Sequence, residues 1–217
     1  MMATEIEPTP RVLTVSATYG AGGSVIAPRL AVLLEVPFFD RLIHGEETRN
    51  VAKIAERLTR EERDQAPPGR IVSGLTSLTS IVGMAMPSGG ERDPRVQLRE
   101  QVEASVRRIA TTTGGVILGR AAAVVLGGDA NAFNVRLMGP VDRRLDQASK
   151  VEGITRDDAQ TLLADTDRAW ARFVSRLFDR DPADPALYHL VLDSTVLPLD
   201  RSAEMIKAIA EEYWARS

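Results

Sequence analysis

Five consecutive small residues, Gly20-Ala21-Gly22-Gly23-Ser24, stand where an apolar run gives way to a helical pattern, and their chemistry is that of an anion cradle. Glycines let successive backbone N–H groups turn to one side, and a helix that starts there adds the positive end of its dipole. Set against the phosphate-loop pattern G-x-x-x-x-G-K-S/T, the octet Ala17 to Ser24 keeps the second glycine at Gly22 and the hydroxyl at Ser24. Ala17 replaces the first glycine and Gly23 the lysine. The backbone part of the cradle is kept, while the ammonium that would meet the β and γ phosphates is absent. Gly20, Ala21, Gly22, Gly23 and Ser24 are the candidate phosphate-binding residues.

Cations must then come from elsewhere. Arg168, Arg172 and Arg176 recur every four residues and share one face of a helical pattern, while Leu162, Leu163, Thr166, Trp170, Phe173 and Leu177 mark its apolar stripe. Three guanidiniums on one face could stabilise the charge of a transferring phosphoryl group and are the candidate catalytic residues. A solvated face, with Asp165 and Arg168 pairing locally, is the competing reading. Arg120 directly follows the apolar run Val116-Ile117-Leu118 and Gly119, at the carboxyl end of a strand where ligands of open α/β sheets bind. It is a candidate contact to an acceptor phosphate or ribose. The two histidines, His44 and His189, have no carboxylate pattern beside them and do not read as metal ligands. There is no cysteine, which removes disulfides, thiolate nucleophiles and Cys-ligated zinc and fits a reducing cytoplasm.

The elements that must hold these residues alternate. Val12-Leu13-Thr14-Val15 is β-prone, the glycine loop follows, and Val25, Ile26, Leu30, Leu33 and Leu34 then recur at helical spacing. Pro37-Phe38-Phe39-Asp40 suggests a second short strand. Helices are expected over Leu42 to Leu58, Ile71 to Met86 and Val96 to Ile109. Val116-Ile117-Leu118, Val135-Arg136-Leu137-Met138 and Leu190-Val191-Leu192 read as strands of the kind buried in a parallel sheet. This predicts a right-handed doubly wound sheet with helices on both faces.

At 217 residues, one domain over 11–217 is expected behind a flexible tail over 1–10. The tail lacks the basic start and apolar core of a signal peptide, and Ile71 to Met86 is too short and too interrupted for a membrane span. With 27 basic and 30 acidic side chains there is no global positive field to draw in nucleic acid, so neither nucleic acid nor membrane is an expected partner.

Tyr19-Gly20-Ala21-Gly22-Gly23 and Phe39-Asp40-Arg41, in the context of YGAGGSVIAPRLAVLLEVPFFDR, resemble the opening of the cytidylate kinase-like family. Four later stretches resemble that family in order: Val116 to Ala121, Val135 to Arg144, Asp167 to Phe173 and Asp184 to Asp193. The resemblance implies a three-layer αβα P-loop NTPase-like parallel sheet, with a helical acceptor-binding region over about 42–112 and a lid over about 155–185. It also implies a kinase that uses ATP with Mg²⁺ as phosphoryl donor and CMP or dCMP as acceptor, which the absence of cysteine would place in the cytoplasm. On this reading Asp40 and Arg41 face the acceptor nucleotide, although Asp40 capping the next helix is an alternative. Since neither Leu118 nor Met138 offers an acid at its strand end, Ser24, phosphates and water would hold the Mg²⁺.

The family commonly has an arginine after the two glycines and another early in the loop; here those places hold Ser24 and Ala17. In cytidylate kinases proper an aspartate follows the Gly-Arg, and here that position is Ala121. Two further readings therefore stand beside an active kinase: a nucleotide-binding pseudokinase that acts through protein contacts, and an interaction module that uses the Ile71 to Met86 helix as a homodimer or partner surface.

Overall fold

The computed structural model describes residues 10–40, 93–119 and 121–216. The helices expected over Leu42 to Leu58 and Ile71 to Met86, and the residues Arg41 and Arg120, lie outside them.

In chain order the elements are β1 (Val12–Ala17), α1 (Gly23–Leu34), β2 (Phe38–Phe39), α2 (Pro94–Thr112), β3 (Gly115–Leu118), α3 (Ala122–Val125), β4 (Ala132–Met138), α4 (Val141–Glu152), α5 (Arg156–Phe178), β5 (Leu190–Asp193) and α6 (Leu199–Arg216). The strands form one five-stranded sheet in the order β2-β3-β1-β4-β5. Every pairing is parallel, with Val15 opposite Leu118 on one side of β1 and Val135 on the other. Parallel neighbours require crossovers, which is why each strand is followed by a helix.

Alternation along the strands sorts side chains to two faces. Leu13 and Val15 point to a core shared with Ile26 and Leu30 of α1 and Ile206 and Ala210 of α6. Val12 and Ile117 point the other way, against Val102 and Val106 of α2, Ala122 of α3 and Val174 and Leu177 of α5. Helices thus cover both faces, as the alternating pattern predicts. β1 is central, which sets the glycine loop in the middle of the carboxyl edge.

Leu190-Val191-Leu192 departs from the expected buried run. β5 is an edge strand, and Val191 is 41% exposed. Leu162, placed on the apolar stripe of α5 by its spacing, is likewise exposed; the buried face of that helix runs through Ala159, Phe173, Val174, Leu177 and Phe178.

The hairpin α4–α5 carries clear local signals. Gly153 closes α4 in the left-handed region. Thr155 then caps α5, accepting from the Asp158 N–H at 3.1 Å while donating to the Asp158 carboxylate at 2.7 Å. Among the described residues no helix is long and apolar enough to cross a membrane.

Candidate phosphate-binding site

The loop between β1 and α1 can be accounted for bond by bond. Gly20 (φ 76°) and Gly22 (φ 75°) take the left-handed backbone that other residues rarely adopt. All five carbonyls from Thr18 to Gly22 have donors. Thr18 O accepts from Ala21 N–H at 3.0 Å, and Gly22 O from Val25 and Ile26 N–H at 3.0 and 2.9 Å. Tyr19 O accepts from Arg144 Nη1 at 2.9 Å, Gly20 O from Gln147 Nε2 at 2.9 Å and Ala21 O from the buried Ser194 hydroxyl at 2.7 Å.

The N–H groups are a different matter. Thr18 N–H donates to Leu137 O at 3.1 Å and Tyr19 N–H to Asp167 Oδ1 at 2.8 Å. Those of Gly20, Gly22, Gly23 and Ser24 have no acceptor among the described residues. Buried or half-buried backbone donors are rarely left unmet, and those of Gly20, Gly22 and Gly23, with the exposed Ser24 beside them, define a place for an anion at the amino end of α1.

That place opens into a cleft of about 330 Å³. Its floor is the loop itself with Leu118 and Gly119; its walls are Gln147, Val151 and Glu152 of α4 and Thr166, Asp167 and Trp170 of α5. The α4–α5 hairpin is held over the loop by Arg144, which is buried and pairs with Asp167 at 2.7 Å while its Nε donates to Gly139 O at 2.9 Å. Asp167 therefore bridges Arg144 and the loop backbone. Tyr19 donates its hydroxyl to Glu152 at 2.7 Å, and burial, with that hydrogen bond second, pushes its phenol well above the usual tyrosine range. Beyond Gly139, Asp193 accepts from the Thr195 hydroxyl at 2.5 Å and from Arg143 at 2.6 Å. Its carboxyl is held below the usual range, first by Thr195.

The lysine position has a steric explanation. A Cβ added to Gly23 would lie 2.6 Å from the Ala17 Cβ and 3.4 Å from Leu118 Cδ1. Ala17, standing where the full pattern has glycine, fills the space that a lysine stem would need.

Of the residues expected from sequence, Gly20, Gly22, Gly23 and Ser24 come together on the cleft, and Ala21 is buried behind it. Asp40 follows β2 and is half-buried. Arg168, Arg172 and Arg176 lie on the exposed face of α5; Thr166, Asp167 and Trp170 are what that helix turns to the cleft. No lysine or arginine lines the cleft among the described residues. Arg144, Gln147, Asp167 and Ser194 clamp the loop; Arg144 and Asp167 fall within the stretches Val135 to Arg144 and Asp167 to Phe173, but neither is singled out there as a site residue.

Ser24 stands exposed in the first turn of α1, and no group of three or more acids or histidines suited to a metal occurs among the described residues. One hydroxyl fits Mg²⁺, an ion that keeps several waters and takes its other ligands from substrate phosphates.

A three-layer α/β fold with a glycine loop at the centre of its parallel sheet is the P-loop nucleotide-binding class. Within that class the chain belongs to the cytidylate kinase-like family, whose model matches residues 12–196. A cytidylate kinase of Methanopyrus kandleri is 30% identical over 119 residues, 51% of this chain; that match spans 62% of the relative's length. Among solved structures, an uncharacterized protein from Eubacterium ventriosum superposes with a TM-score of 0.62 at 13% identity, covering 93% of this chain and 98% of that one. A gluconokinase from Sinorhizobium meliloti gives 0.50 at 15% identity, covering 96% and 98%. Both likenesses concern the fold.

Proposed function

We propose that this chain is a nucleoside monophosphate kinase-like phosphotransferase that moves the γ-phosphoryl of ATP to CMP, dCMP or a related acceptor. The observation that carries this reading is the loop accounting: five carbonyls turned outward and met, four N–H groups unmet at the start of α1. Such a cradle takes up the phosphates of a nucleotide without a lysine. Mg²⁺, when bound with ATP, would neutralise phosphate charge, and Ser24 is the described residue that would hold it. The lid is proposed over about 155–185, which takes in α5, and Arg168, Arg172 and Arg176 remain the candidates for reaching the transferring group when it moves. Asp40, with Arg41 and Arg120, is proposed to meet the acceptor. The chain is proposed to work in the cytoplasm.

A second reading, a nucleotide-binding pseudokinase, is favoured by two observations: the cleft has acidic but no basic walls among the described residues, and Gly23 has no room for a side chain. Titrating ATP with Mg²⁺ and CMP by calorimetry, beside a coupled assay of ATP consumption across the common nucleoside monophosphates, separates them. Binding with turnover supports the first reading, binding without turnover the second.

Gly22→Val tests the cradle in either case. The new Cβ would lie 2.5 Å from Leu199 Cδ2 and 3.1 Å from Gln147 Nε2, on a backbone that disfavours it. The expected outcome is loss of ATP binding by at least about tenfold; unchanged affinity removes the loop from the site.

A further inference from the structure

We propose that Tyr19 is the positioning residue of the phosphate loop: through it, the seat of the α4–α5 hairpin and the aim of the Gly20 N–H become one structural variable. The inference rests on the loop being an anion cradle, as proposed above, but its first test needs no ligand. The hairpin holds Tyr19 at three points. Its N–H donates to Asp167 Oδ1 at 2.8 Å, its carbonyl accepts from Arg144 Nη1 at 2.9 Å, and its hydroxyl donates to Glu152 Oε2 at 2.7 Å. Arg144 and Glu152 belong to α4 and Asp167 to α5, so a single loop residue is tied to both helices.

The ring adds a fourth tie. Leu145 and Ala148 of α4 and Ala159 of α5 form a small buried cluster, separate from the two that cover the faces of the sheet, with Ile154 and Leu163 packed on it. Among the described residues Tyr19 is the one from outside the hairpin that packs there. The link to the cradle lies in the peptide unit. Tyr19 O and the Gly20 N–H belong to one planar amide, and in the trans form they point in opposite directions. Arg144 holds the oxygen, which fixes the direction of the N–H. A hairpin displaced from its seat takes Arg144 and Asp167 with it and frees the peptide planes on both sides of Tyr19. The reverse follows from linkage: an anion that engages the Gly20 N–H favours the seated hairpin.

Amide hydrogen exchange of the full chain reads this coupling. Leu163→Ala trims the hairpin cluster without removing any hydrogen bond of the loop. In the free protein it should speed exchange across 17–24 by about two- to tenfold, and it should add nothing once Tyr19→Ala is in place. Tyr19→Phe, which keeps the ring and loses only the Glu152 bond, should still show the Leu163→Ala effect. If Tyr19→Ala does not fold, Tyr19→Leu takes its place. Saturating ATP with Mg²⁺ should slow exchange across α4 and the first half of α5 in the unsubstituted chain, and should no longer do so in Tyr19→Ala. A loop that ignores Leu163→Ala, or answers it equally with and without Tyr19, overturns the proposal, and so does equal protection of the hairpin by ATP in both chains. If calorimetry finds no ATP binding, the nucleotide reading falls, and the ligand-free comparison alone decides the role of Tyr19.

Discussion

The lysine position of the phosphate-loop pattern is crowded by a second residue, Ala17. With Gly23 and Ala17 in contact distance of any added Cβ, Gly23→Lys alone overpacks the turn, and a cost of about 1–3 kcal/mol in denaturant melts is expected with no gain in ATP affinity. Ala17→Gly together with Gly23→Lys opens the space; calorimetry should then show ATP bound at least about tenfold tighter than by the single variant. Arg172 tests the exposed arginine face. If the protein turns over and the lid brings Arg172 to the transferring phosphoryl, Arg172→Ala lowers kcat far more than it weakens ATP binding. If Arg172 stays in solvent, rate, affinity and stability are unmoved, the last within about 0.5 kcal/mol. The loop was legible because its glycines interrupt two hydrophobic periods. The arginines were legible only as a face of a helix; which way that face turns depends on Phe173, Val174 and Leu177 seating against α2 and α3, and spacing alone cannot say so.

At the scale of elements, the α4–α5 hairpin is fastened to the loop through Arg144 and Asp167. Removing one partner of a nearly buried pair leaves the other charge uncompensated. Asp167→Ala should therefore destabilise by about 2–3 kcal/mol in urea unfolding, the partial exposure of Asp167 trimming the figure for a fully buried pair. A second junction joins β4 to the lead-in of β5, where His189 Nδ1 accepts from the Asn134 N–H at 2.9 Å and the ring stacks on Phe133 and lies against Tyr213. Partial burial holds its pKa below the ordinary value near 6.5. The unfolded chain then binds the proton more readily, so this contribution is complete above about pH 6.5 and fades as pH falls toward the folded value. Melting temperature should drop over that interval, and His189→Phe should flatten the slope. The strands and helices that set these junctions were readable from periodicity. The junctions were not, because they join residues such as Tyr19 and Asp167 that lie 148 positions apart.

For the whole molecule, the order β2-β3-β1-β4-β5 makes the loop a meeting point for the end of β4, the hairpin α4–α5 and the turn after β5. A ligand that binds only the assembled cradle stabilises it by mass action: at a hundredfold excess over its Kd, ATP should add about 2.7 kcal/mol, seen as a rise of roughly 5–10 °C in melting temperature. An unchanged melting curve would argue that nucleotide does not enter.

The outward-turned carbonyls also set an order of events during synthesis. Tyr19 O waits for Arg144, Gly20 O for Gln147 and Ala21 O for Ser194, a donor 173 residues further along the chain. A nascent chain that has released β1 and α1 from the ribosome holds the glycines but not their clamps. It becomes competent for an anion only once β5 and the turn after it have emerged, at typical elongation rates about ten to forty seconds later. Until then the three carbonyls lack the donors that fix them in the finished fold.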